Sequence, residues 1–130
     1  VRIAHISDLH FPTKLPIWGL NFKQWTGYWN YSLRRKKRYL PEVRDALFQK
    51  IKKCSPDFIF ITGDITNVSH PIEYKKSAQI LEPILGKNTM MIPGNHDRYI
   101  PDSLKYGGLF ESHFENYMGD LVPGLPRSIR

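Results

Sequence analysis

Cysteine is almost absent. Cys54 is the only one in 130 residues, which excludes an intramolecular disulfide and any cysteine-ligated zinc site. Such a chain suits a reducing compartment, and a cytoplasmic location is expected. Long apolar runs are also missing: no stretch approaches the roughly 18 residues needed to span a bilayer. The N-terminus reads as a strand rather than a charged leader followed by an apolar core, so a soluble protein is expected. Acidic residues are absent from one segment. Between Leu9 and Pro41 there are none, against seven basic residues: Lys14, Lys23, Arg34, Arg35, Lys36, Lys37 and Arg38. The remaining 12 basic residues balance the 12 acidic ones, so the net charge of +7 belongs to this segment, which also holds all three Trp. A local, negatively charged partner is implied more than a generally basic protein.

What is present fits one domain spanning residues 1–130, with a 41% hydrophobic content that allows a small core. Arg2 to Ser7 reads as a short buried strand. Residues 11–40 are irregular, with Pro12, Pro16, Gly19 and Gly27 punctuating aromatics, and read as an insertion. Pro41 suits a first helical turn, and Val43, Leu47, Ile51 and Cys54 recur along one helical face that should cover the sheet. Phe58 to Ile61 is a continuous β-prone run, expected to be buried on both faces of a parallel sheet. A second helix is expected from near Pro71 through Tyr74, Ala78 and Leu81 to Leu85, stopping at Gly86, with Pro83 shortening its last turn. Met90 to Ile92 is the third strand. The order strand, helix, strand, helix, strand predicts an α/β fold with right-handed crossovers. Phe110, Phe114, Tyr117 and Met118 share a helical face, and residues 119–130 read as a flexible tail.

Each predicted strand is followed by a polar cluster: Asp8-Leu9-His10, Gly63-Asp64, and Gly94-Asn95-His96-Asp97. Carboxylate, imidazole and amide oxygen are ligands for borderline and hard divalent ions, and strand ends hold them rigidly. Side-chain alternation along an extended backbone would place Asp8 and His10 on one side, with Leu9 facing away. An isolated Asp-x-His is more often an N-capping Asp beside a solvated His, and Gly-Asp after a strand is ordinary turn chemistry. The glycines have a backbone reading of their own, as turns with positive φ or points of close approach. His5 reads as a core or sheet-face residue, and His70 as helix-start punctuation.

The three clusters together, in this order, are far more specific. From about Ile3 to Asp97 the chain resembles the N-terminal part of a calcineurin-like metallophosphoesterase, carried by Ile6-Ser7-Asp8-Leu9-His10, Ile61-Thr62-Gly63-Asp64 and Ile92-Pro93-Gly94-Asn95-His96-Asp97. The resemblance implies a sheet sandwich with flanking helices and a site for two divalent metal ions, Mn, Fe, Zn or Co. It implies that Asp8 and His10 bind the first ion, Asp64 bridges both, and Asn95 binds the second through its amide oxygen. His96 would not be a ligand but would protonate the leaving oxygen or stabilise developing charge, with Asp97 fixing its ring. The implied reaction is hydrolysis of a phosphoester or phosphoanhydride by a hydroxide shared between the ions. The family's downstream ligands, a further His and a Gly-His-x-His element, have no counterpart here. The only later histidine is His113, read as a solvated helix position. The missing C-terminal half of the domain is therefore expected elsewhere: the residues are a fragment of a longer enzyme, the favoured reading, a naturally truncated copy, or a chain whose missing half is supplied separately, with weak metal affinity and an exposed apolar sheet face expected for the chain alone. The alternative function is a non-catalytic scaffold or interaction module on the same fold.

The insertion adds a second theme. Trp18, Phe22, Trp25, Trp29 and Leu33 follow the spacing of one helical stripe, and the basic run Arg34 to Arg38 comes next. One reading packs these aromatics on the body and leaves the basic run solvated. Another makes residues Trp18 to Arg38 an interfacial element that meets an anionic membrane surface or a lipid phosphate, peripheral to the membrane. Nucleic acid is a third and less favoured partner.

Overall fold

Three short parallel strands, β1 (Ile3–Ile6), β2 (Phe58–Ile61) and β3 (Thr89–Met91), form a sheet in the order β1-β2-β3. The computed structural model describes residues 1–16, 18–35, 39–101 and 108–119. Residues 36–38 of the basic run, the Arg34 and Arg35 side chains, and residues 120–130 of the expected tail lie outside what is described. Ile6 stands opposite Ile61, and Ile61 opposite Met91, so the strands finish level and their outgoing loops leave from one edge. The pairing continues past the strands. Asp8 N donates to Gly63 O at 3.2 Å, His10 N to Asp64 O at 2.8 Å and Phe11 N to Ile65 O at 3.0 Å. All three polar clusters thereby share one end of the sheet.

Strand order follows chain order, so two right-handed crossovers place both connecting helices on the same face. That face carries Ile6, Ile59, Ile61 and Met91, which join the core with Phe48, Ile51 and Leu81. The opposite face carries Ile3, His5, Phe58, Phe60 and Met90, none of which joins the core cluster of the described residues; Ile3 is 59% exposed and the two Phe are half-buried. The expectation of β2 buried on both faces is corrected accordingly, while that of an exposed apolar sheet face holds.

Helix α1 (Phe22–Asn30) runs into a π-helical turn at Tyr31–Arg35. Helix α2 (Pro41–Cys54) begins on Pro41 and ends where Ser55 turns left-handed, with φ 43°. Its core-facing side is Leu47, Phe48 and Ile51. Val43, assigned to that side by spacing, instead lines an apolar cavity of about 170 Å³ with Leu9, Phe11, Tyr39 and Leu47. Helix α3 (Pro71–Leu81) gives way to a 3₁₀ turn at Glu82–Ile84, because Pro83 has no N–H to continue the helical ladder. His70 is its N-cap: the ring Nδ1 accepts from Ile72 N at 3.2 Å. Helix α4 (Leu109–Phe114) closes the core with Phe110, Phe114 and Met118. No described helix is long and apolar enough to cross a membrane.

The insertion is partly core. Phe11, Leu15 and Tyr31 are buried, and Phe11 belongs to the main cluster. The reading in which its aromatic stripe packs on the body is overturned: Trp18, Phe22, Trp25, Trp29 and Leu33 are all exposed. The inward side of α1 is Gln24, Gly27 and Tyr28. Gln24 Nε2 donates to Val68 O at 3.3 Å, and Tyr28 Oη accepts from Leu15 N at 3.2 Å.

Candidate metal centre

Backbone strain marks the site. Five described non-glycine residues have positive φ, and three of them are Asp8 (56°), His10 (39°) and Asp64 (53°). A left-handed residue other than glycine costs on the order of 1–3 kcal/mol, and such residues persist only where surrounding contacts over-determine them. Here the hydrogen bonds between the β1 and β2 loops do so. The same φ values correct the alternation argument, since Asp8 and His10 do not lie on extended backbone. Leu9 still packs toward the core, but His10 is buried and Asp8 is exposed.

His10 sits over the loop after β2. Its Nδ1 lies 3.0 Å from Thr66 O, and because a carbonyl only accepts, Nδ1 carries the hydrogen and Nε2 keeps its lone pair. Burial holds the His10 pKa below the usual 6.5, with His96 acting the same way; the Thr66 hydrogen bond, Asp64 and Asp8 oppose it. The neutral imidazole this favours is the form that ligates a metal. Asp64 follows β2, half-buried, with Oδ1 accepting from His96 N at 2.8 Å. The His96 ring meets the His10 ring edge-on at 4.8 Å, and its Nδ1 donates to Asn67 O at 2.7 Å.

Glycines make this convergence sterically feasible. A methyl group built on Gly63, at φ +84°, would overlap the backbone of Gly94, and one on Gly94 would overlap the Asp64 carboxylate. The β2 and β3 loops therefore touch backbone to backbone. Both glycines are explained by close approach, and Gly63 by its dihedral as well.

His10, Asp64 and His96 each offer a ligand atom, all within 4.8 Å of one another. This is the one such group of His, Cys, Asp or Glu among the described residues. The His10 imidazole, with Nδ1 fixed by a carbonyl and Nε2 open, and the Asp64 carboxylate are donors that fit a divalent cation, and the His96 ring stands beside them. Asp8 lies outside the group, though its carboxylate acts on the charge of His10. Asn95 begins the 3₁₀ turn His96–Arg98, is exposed, and makes no capping bond with its side chain. His113 is apart from the site, stacked on Tyr74 at 5.7 Å. His5 lies on the open sheet face, its Nε2 2.8 Å from Thr62 Oγ1.

The calcineurin-like phosphoesterase family description matches residues 1–128. The chain belongs to that family. As a calcineurin-like phosphoesterase it is a member of a hydrolase family that typically binds divalent metals, and its His10, Asp64 and His96 cluster is where such an ion fits.

One expected role does not survive the geometry. Asp97 does not orient His96; the carbonyl of Asn67 does. The Asp97 carboxylate is fully buried and accepts from Ile65 N (3.1 Å), Thr66 N (2.9 Å), Thr66 Oγ1 (2.9 Å) and Gly94 N (3.0 Å). Burial pushes its pKa up, and the amides of Gly94, Thr66 and Ile65 pull it back. Every partner is a donor, so the carboxylate form satisfies the site and pins the β2 loop to the β3 loop. Glu73 does the same within the β2 loop, accepting from Asn67 N, Val68 N and His70 N at 3.0 to 3.1 Å.

Sequence reasoning also missed Tyr99 and Tyr39. Tyr99 stacks on His96 at 5.7 Å with an interplanar angle of 4°, and Tyr39 tilts against His10 at 5.2 Å. On Tyr99 converge Lys23, whose Nζ lies 4.6 Å from the ring centroid, and Gly27, which leaves room for the phenol oxygen. An aromatic three residues after His96 was the available signal.

Proposed function

We propose that this chain holds metal in a phosphoesterase that hydrolyses a phosphoester or phosphoanhydride at a two-ion centre. The observation that carries the reading is the convergence of His10, Asp64 and His96 within 4.8 Å at the end of one sheet. Asp8, His10 and Asp64 would hold the first ion, and Asp64 and Asn95 the second, drawn from Mn, Fe, Zn or Co. Bound ions supply the positive charge that acidifies the attacking water and neutralises phosphoryl oxygens.

The chain's own groups do the rest. His10 presents Nε2 because Thr66 O occupies its other nitrogen. His96 is held at Nδ1–H by Asn67 O, so the imidazolium form would give its Nε2 proton to the leaving oxygen and be left as the neutral Nδ1–H ring. Tyr99 and His10 fix the His96 ring from two sides. A lipid-linked or membrane-surface substrate is the form of this reading that the exposed aromatic side of α1 favours.

The test is calorimetric titration with Mn²⁺, followed by Mn²⁺-dependent hydrolysis of an aryl phosphate. Asp64→Ala should remove both metal binding and turnover. His96→Ala should keep the binding heat and lower the rate by about 10²-fold or more. Turnover unchanged in either variant overturns the assigned roles. These outcomes are for the complete protein; a complete wild-type protein that binds no metal and cleaves no ester would instead be the non-catalytic module.

A further inference from the structure

Trp18, Phe22, Trp25, Trp29 and Leu33 are 93%, 82%, 42%, 53% and 66% exposed. Trp25 and Trp29 stack on each other at 5.6 Å with an interplanar angle of 17°, making one flat apolar ledge. The ledge cannot be hidden by rolling the helix. Its far side is tied down by the buried Gln24 amide on Val68 O, by Leu15 N on Tyr28 Oη, and by Gly27 against Tyr99. The helix start is fixed as well, by the reciprocal Asn21 and Gln24 capping box. An apolar surface held outward by polar anchors on the opposite side marks a binding surface rather than a packing defect.

Charge selects the occupant. From Leu9 to Pro41 the chain has seven basic residues and no acidic one, and five of the seven follow the ledge directly in sequence at 34–38. The π-helical turn Tyr31–Arg35 that continues α1 carries the first two. Trp and Phe beside Lys and Arg, with no acid among them, match the headgroup zone of an anionic bilayer. There the rings enter the interface and each cation gains from the surface potential. A nucleic-acid strand needs open ring faces, and here two of the three indoles cover each other.

We propose that this side of α1 docks on anionic lipid bilayers, with Phe22, Trp25, Trp29 and Leu33 in the headgroup region and the exposed Trp18 as a further interfacial ring, the basic residues that follow in the sequence supplying the charge that favours acidic lipid. The ledge and the metal centre are neighbours. Lys23 and Gly27 of α1 hold Tyr99, which stacks on His96. Delivery of a lipid-borne phosphoester to His96 would rest on the hydrolytic reading; the docking does not, since it is measured without metal or turnover.

All three Trp of the chain are exposed and fall between positions 18 and 29, two of them in the ledge, so intrinsic fluorescence reports on this segment alone. The full chain is mixed, metal-free, with vesicles of phosphatidylcholine or of phosphatidylcholine with phosphatidylglycerol. The expected result is a blue shift and co-sedimentation with the anionic vesicles only, weakened by salt, with quenching by brominated acyl chains in the wild type. Arg34→Gln and Arg35→Gln should each weaken partitioning about fivefold. Trp25→Ser with Trp29→Ser should abolish co-sedimentation while circular dichroism stays unchanged. No response to anionic vesicles, an equal response to both kinds, or a shift with a single-stranded oligonucleotide alone would each overturn the proposal.

Discussion

Asp97 shows how a side chain's partners decide its job. Its carboxylate meets four donors from Ile65, Thr66 and Gly94 and never touches the His96 ring. In Asp97→Asn one acceptor oxygen becomes an NH₂ facing an N–H, leaving a buried amide unpaired at a cost of about 2–3 kcal/mol. Urea denaturation should show that loss. The ¹⁵N resonances of His96 should still report Nδ1–H, because Asn67 O remains its partner. A ring tautomer that changes in this variant would restore Asp97 as the orienter. The sequence pointed to the residues that meet, His10, Asp64 and His96, through their place after apolar runs. It could not show what holds them, because Thr66 O and Asn67 O are backbone atoms with no side-chain signature. It also misjudged the backbone at Asp8 and His10, where loop-to-loop hydrogen bonds impose left-handed φ on residues that a simple strand pattern makes extended.

At the scale of elements, the centre depends on two loops that touch through glycine. Gly63→Ala would combine a positive φ with an overlap on the Gly94 backbone, and rigid sheet ends on both sides leave little room to relax. The expected cost exceeds about 2 kcal/mol in a denaturant melt, with metal binding lost in parallel. Gly86→Ala, where nothing lies within 4 Å of the new methyl, is the control and should be near neutral. Helix limits set by proline were readable beforehand, at Pro41, Pro71 and Pro83, because a missing N–H acts locally. Which side of a helix faces inward was less so. The spacing of Trp18, Phe22, Trp25, Trp29 and Leu33 describes a stripe equally well whether it points to a core or to solvent. The deciding contacts come from Gln24, Gly27 and Tyr28, which carry no apolar signal.

At the scale of the whole molecule, the sheet is wound in one direction and finished on one side. The run Phe58 to Ile61 reads as doubly buried because composition cannot tell one apolar face from two, whereas the strand order β1-β2-β3 puts the described connecting helices on one face. The other face, with Ile3, Phe58, Phe60 and Met90, should bind an apolar dye such as anilinonaphthalene sulfonate in the native state. Phe58→Thr with Phe60→Thr should lower that emission markedly. Emission unchanged by the pair would place the dye elsewhere. The same winding has a cost in time. Ile3 must find Phe58 before β1 can join the sheet, and the insertion together with α2 lies between them. Closing a longer loop adds only about 0.6 kcal/mol per doubling of length, so the insertion is thermodynamically inexpensive. Kinetically it is not: pairings between distant segments form late, and until β2 is made the first strand remains an unpaired edge in the nascent chain.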